Sequence, residues 1–139
     1  MVKYKINEPI TVEQFKEIIQ QTGLKRRLDD RKKLINMLKN VDFLMTAWED
    51  EKLVGFARGF CDFGSIVYVA ELGVHKDYWK QGIGRKLMEA IVAYVGTDIH
   101  IVLLASKLAE NYYSKLGFDK DPRGYVKLPE PLHPDDWQV

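Results

Sequence analysis

The chain has 139 residues, with 21 lysines and arginines against 20 aspartates and glutamates and a single cysteine, Cys61. That length suits one domain over residues 1–139, burying roughly two thirds of its unfolded surface, and the balanced charge gives no argument for nucleic acid or a membrane as partner. A lone cysteine excludes a disulfide framework or a cysteine-based zinc site, and with no apolar run of bilayer length and no signal-peptide core in MVKYKINEPI the expectation is a cytoplasmic protein.

Val2 to Ile6 alternates as a short strand, and Pro9 breaks it. Thr11 and Gln14 form a capping box ahead of Val12, Phe15, Ile18 and Ile19, which recur at helical spacing until Gly23. Asp29 or Asp30 can cap a second helix carrying Leu34, Ile35, Met37 and Leu38. Between the two lie Arg26, Arg27, Arg31, Lys32 and Lys33, without the interleaved aromatics of a single-strand nucleic-acid platform. A solvated charged face is the plain reading of them. Phe43 to Trp48 and Leu53 to Phe60 read as a hairpin around Glu49–Lys52.

Ser65 to Val74 has the composition of a mostly buried strand. Lys76 to Gln81 is a polar and aromatic loop, and from Gly82 onward Ile83, Leu87, Met88, Ile91, Val92 and Val95 mark one helix face. Such a strand–loop–helix joint favours phosphate, because the first helical turn offers unpaired N–H groups and the positive end of the dipole. Gly82 and Gly84 keep side chains away from those groups, and Arg85 and Lys86 add positive charge beside them. Two glycines that merely turn the chain are the alternative. A P-loop is excluded because Gly84 is followed by Arg85, Lys86 and Leu87 and not by Lys and then Ser or Thr, and a dinucleotide fingerprint because residue 87 is leucine and not glycine.

Ile99 to Ala105 is nearly continuous apolar sequence, as in a strand covered on both faces. Ser106 can then cap a helix from Leu108 to Leu116, ended by Gly117, on which Ser106, Ala109, Tyr113 and Leu116 share a face. Phe118 and Gly124 to Leu128 suggest a last pair of short strands, and the tail from Pro129 should run extended. Trp137 in that polar tail hints at a contact such as that of a homodimer. His75, His100 and His133 are scattered singly, so no metal site is expected.

Leu72-Gly73-Val74, Tyr78, Gly82-Ile83-Gly84 and Leu87-Met88, with Ala109, Tyr113, Gly117 and Phe118 further on, resemble the signature of the GNAT acetyltransferase superfamily. Trp79 stands where that pattern has Gln or Arg, and Ser106 where it often has Asn. The resemblance implies an α/β acyl-CoA acyltransferase fold with one mixed central sheet flanked by helices, which the order β-α-α-β-β-β-α-β-α-β-β matches. It also implies an N-acetyltransferase that uses acetyl-CoA as co-substrate and a small amine or peptide as acceptor.

On this reading Lys80, Gln81, Gly82, Ile83, Gly84 and Arg85 hold the pyrophosphate, and Ser106 and Ala109 flank the cofactor arm. Backbone N–H groups of Leu72, Gly73 and Val74 meet the thioester carbonyl. Tyr113 protonates the leaving thiolate, with an alkaline limb expected near an ordinary phenol pKa of ~10. Glu71 is the candidate base, and Arg26 and Arg27 border the acceptor. A core tyrosine and an ion-paired strand-end carboxylate are the plain readings of Tyr113 and Glu71. The rival function is a non-catalytic acyl-CoA-binding sensor.

Overall fold

The structure, a computed structural model, describes residues 1–130. Two compact units make up the chain, Met1–Leu103 and Leu104–Val139. His133 and Trp137, and with them the homodimer contact and most of the extended tail, lie outside the described residues.

The first unit is a five-stranded sheet in the order β1 (Val2–Ile6), β2 (Phe43–Glu49), β3 (Lys52–Cys61), β4 (Ile66–Val74) and β5 (His100–Leu103). The first four strands pair antiparallel and β5 pairs parallel to β4. Residues 43–48 of β2 and 54–59 of β3 are buried without interruption, so these central strands are covered on both faces. Helices α1 (Val12–Thr22) and α2 (Arg31–Lys39) cover one face, and α3 (Ile83–Val95) packs on β2, β3 and β4.

Local chemistry explains the helices. Thr11 and Gln14 complete the capping box of α1, and Gly23 ends that helix at a left-handed φ of 84°. Asp30 caps α2 through the Lys33 amide. Phe15, Ile18 and Ile19 of α1 meet Leu34, Leu44 and Phe56 in one cluster, with Phe15 edge-on to Phe56 at 5.5 Å between centroids. Opposite it, Ile83 and Leu87 of α3 press close to Gly55 of β3. No helix among the described residues is long and apolar enough to cross a membrane.

Two features set β4 apart from its neighbours. Its pairing with β5 runs only from Ile66↔His100 to Val69↔Leu103, so Ala70–Val74 continue beyond their parallel neighbour. On the other side Gly59 pairs with Val69 while Arg58 pairs with Glu71, leaving Ala70 as one extra residue.

Three expectations for the C-terminal part are corrected. The strand is His100–Leu103, four residues long and exposed on alternate side chains, not covered on both faces. It lies at the edge of the sheet, with β4 as its one neighbour among the described residues. In the second unit the Leu108–Leu116 helix is replaced by two 3-10 turns, Lys107–Ala109 and Tyr113–Leu116. Its backbone bonds step by three residues, as in Ala109 N–H to Ser106 O and Tyr112 N–H to Ala109 O. A stretch this short gains little from α-helical propagation, and three-residue steps dissolve the face that Ser106, Ala109, Tyr113 and Leu116 would share. Residues 118–128 form no strand.

Candidate active site

β4 ends where the chain turns towards α3. The His75 N–H donates to Val54 O at 2.8 Å, so at the end of β4 odd-numbered amides face β3. By strand alternation the N–H groups of Leu72 and Val74 face the other way, along the edge that β5 has left. Gly73 faces α1: a Cβ there would lie 2.8 Å from Thr22 Cγ2 and 3.0 Å from Leu24 Cδ1. Only a bare backbone lets the end of α1 approach β4 so closely.

After β4, His75 Nδ1 accepts the Asp77 amide and opens a 3-10 turn, Lys76–Tyr78. Trp79 folds back, its indole N–H donating to Val74 O at 2.7 Å. The bond gives the aromatic at the family's Gln or Arg position a structural task, pinning the loop to the strand end. Lys80 and Gly82 then take left-handed φ values of 64° and 80° and deliver the chain into α3. Lys80, Gln81, Gly82 and Arg85 are exposed, whereas Ile83 and Gly84 are buried. α1 and α2 have side-chain caps, but α3 has none. Its first intrahelical bond is Lys86 N–H to Gly82 O, so the Ile83 and Gly84 amides precede the ladder. A Cβ on Gly82 would meet nothing within 4 Å, so the space in front of the helix is open.

Glu71 lies on the α1/α2 side of the sheet and is 3% exposed. Its two carboxylate oxygens accept from Arg26 Nε and Arg58 Nε, each at 2.5 Å. Arg26 comes from the segment after α1 and Arg58 from β3, directly across from Glu71. Tyr68 is close enough for all three charges to act on its phenol, whose pKa burial raises most while the two guanidiniums pull it down. Residues 68 and 71 would point to opposite faces of a regular strand, and the extra Ala70 removes that mismatch. Arg27 pairs instead with Asp29 at the surface.

Beside this cluster, α2 and β3 border an open, shallow cleft of about 470 Å³ lined by Asp30, Lys32, Lys33, Asn36, Met37, Arg58 and Phe60. Sequence patterning alone did not single out Arg58 or Tyr68. A lone arginine inside the buried run of β3 was the available signal, since a buried guanidinium requires a partner.

In the second unit, Ser106 precedes the first 3-10 turn without a side-chain cap bond, and Ala109 closes that turn. Tyr113 opens the next one, edge-on to Tyr112 at 5.3 Å and to Phe118 at 5.6 Å. Burial pushes its pKa up to about 12. Thus Glu71, Leu72, Gly73, Val74 and residues 80–85 belong to the first unit, and Ser106, Ala109 and Tyr113 to the second.

A family model described as an acetyltransferase (GNAT) domain matches residues 41–120. An uncharacterized N-acetyltransferase, ycf52, of Pyropia yezoensis is 30% identical over 85% of this chain and 70% of its own length. GCN5-related N-acetyltransferase 2, chloroplastic, of Arabidopsis thaliana is 35% identical over 55% of this chain, and the match spans only 30% of that protein. A probable acetyltransferase from meticillin-resistant Staphylococcus aureus superposes with a TM-score of 0.76 at 26% identity, covering 92% of this chain and all of the other.

Proposed function

The chain belongs to the GNAT acetyltransferase family, which generally uses acetyl-CoA, and from that premise we propose that residues 1–139 act as one domain that transfers acetyl from acetyl-CoA to an amine by direct attack. The family match crosses from the first compact unit into the second, which supports one functional domain. The observation that carries the reading is the uncapped start of α3, open in front of Gly82 and adjoining a strand with outward-facing amides.

These residues fit the cofactor. The Ile83 and Gly84 amides, the dipole of α3 and the basic side chains of Lys80 and Arg85 would hold the pyrophosphate, with Gln81 at its border. When bound, acetyl-CoA supplies a polarisable thioester carbonyl and a thiol leaving group. The Leu72 and Val74 amides are aimed to hydrogen-bond that carbonyl oxygen. Ser106 and Ala109 flank the cofactor arm in this assignment. Tyr113 keeps its proton at neutral pH and gives it to the departing sulfur. Both oxygens of Glu71 are already engaged by guanidinium groups. We therefore give Glu71 the role of holding Arg26 and Arg58 on the acceptor side, with proton removal from the amine left to water.

Gly82→Asp tests the cofactor site. A Cβ there meets no atom within 4 Å, so the fold should survive apart from strain at a positive φ. Its carboxylate would face the incoming phosphates, and CoA affinity by calorimetry should fall about tenfold or more. Unchanged affinity would move the site elsewhere. CoA binding without thiol release across an amine panel would favour the non-catalytic sensor.

A further inference from the structure

The cleft between α2 and β3 has a charge pattern that cofactor binding does not use. Lys32, Lys33 and Arg58 line it, with Asp30 as its one carboxylate, and Asp30 is engaged in capping α2 through the Lys33 amide. Arg31 of the same turn pairs with Glu13, whereas Lys32 and Lys33 have no ion-pair partner among the described residues. The first turn of α2 holds no acidic residue at all. A helix dipole favours acids in that turn and opposes cations, so these lysines stand where helix stability alone would not put them. Their charge and the dipole both point positive potential at the cleft.

Arg58 joins the cleft to the proposed reaction site. Arg58 lines the cleft, its Nη1 donating to Met37 O at 3.5 Å, while its Nε donates to Glu71, the residue preceding Leu72 on β4. Phe60 and Met37 add apolar wall, and about 470 Å³ suits a small molecule. Resting on the acetyltransferase reading, we infer that the acceptor is a small amine that also carries an anionic group, a carboxylate or a phosphate, seated against Lys32, Lys33 and Arg58. Polyamines and other polycations are poor acceptors here, because the same potential repels them.

The test compares matched amines with the full-length protein: O-phosphoethanolamine against ethanolamine, β-alanine against propylamine, and spermidine as polycation. The anionic member should win in kcat/KM by about tenfold or more in at least one pair, and the winning pair separates phosphate from carboxylate. Lys32→Ala with Lys33→Ala should collapse that ratio, and so should raised salt. Both lysines are exposed, and a thermal midpoint confirms folding. Spermidine or the neutral amines as the better acceptors, or a ratio that survives the double variant, would overturn the inference.

A second arm does not need turnover. With CoA-saturated protein, O-phosphoethanolamine or β-alanine should shift the NMR signals of Met37 and Phe60 while their neutral counterparts leave them in place. No shift with either anion overturns the anion pocket. Failure of the CoA titration itself is a separate outcome and sinks the cofactor reading instead.

Discussion

Tyr113 shows what one half-buried hydroxyl can be asked to do. Desolvation disfavours the phenolate, so the proton stays on oxygen until about pH 12. The alkaline limb expected near ~10 for an ordinary phenol therefore moves upward, and kcat should show no fall from this group up to about pH 10. Tyr113→Phe keeps the ring beside Tyr112 and Phe118, so CoA affinity should hold. Under the role proposed for its hydroxyl, the substitution should lower kcat by about a hundredfold, roughly 3 kcal/mol of barrier. A Phe variant with full kcat on its best acceptor would reduce Tyr113 to packing. The raised pKa also has a stability consequence of fixed sign: its contribution is present below the unfolded phenol's pKa and lost as pH rises through about 12.

Among the elements, those with local signals were legible and those with long-range causes were not. The caps at Thr11 and Asp30 and the glycine at the head of α3 announce their helices within four residues. The stretch after β5 carries helical periodicity, yet it settles into 3-10 turns, because periodicity does not report whether a short segment has a face to bury. The β3–β4 pair depends on a contact invisible in sequence. A Cβ on Gly59 would fall 2.2 Å from Tyr68 O and 2.6 Å from Phe43 Cζ, one of them backbone that cannot step aside. Gly59→Ala should cost about 1–3 kcal/mol or more and lower the thermal midpoint. An unchanged midpoint would mean that the two strands part more easily than their register suggests.

Across the whole molecule, the fold class and the glycine turn into α3 could be read from the chain, whereas the charged cluster on the α1/α2 side of the sheet could not. Its centre joins Arg26, Arg58 and Glu71, and the first and last of these are 45 residues apart. Nothing local in a sequence pairs two such positions; only the lone arginine in β3 asks for a partner. Side chains of Arg26 and Arg58 are 16% and 10% exposed, so removing the charge between them leaves two guanidiniums poorly compensated. Glu71→Gln should destabilise the protein by roughly 3–5 kcal/mol, less whatever water relieves at Arg26. In conditions where it stays folded, KM for the acceptor should rise more than kcat falls. A fall in kcat alone, with KM for the acceptor unchanged, would return the role of base to Glu71.

The extra residue in β4 gives this site a reading frame of its own. Upstream of Ala70 the strand counts in step with β5, and downstream it counts in step with the turn into α3. Without Ala70 the ladder would be unbroken and Tyr68 and Glu71, then two positions apart, would still share a face, so the extra residue changes the spacing and local twist between them and not the face they occupy.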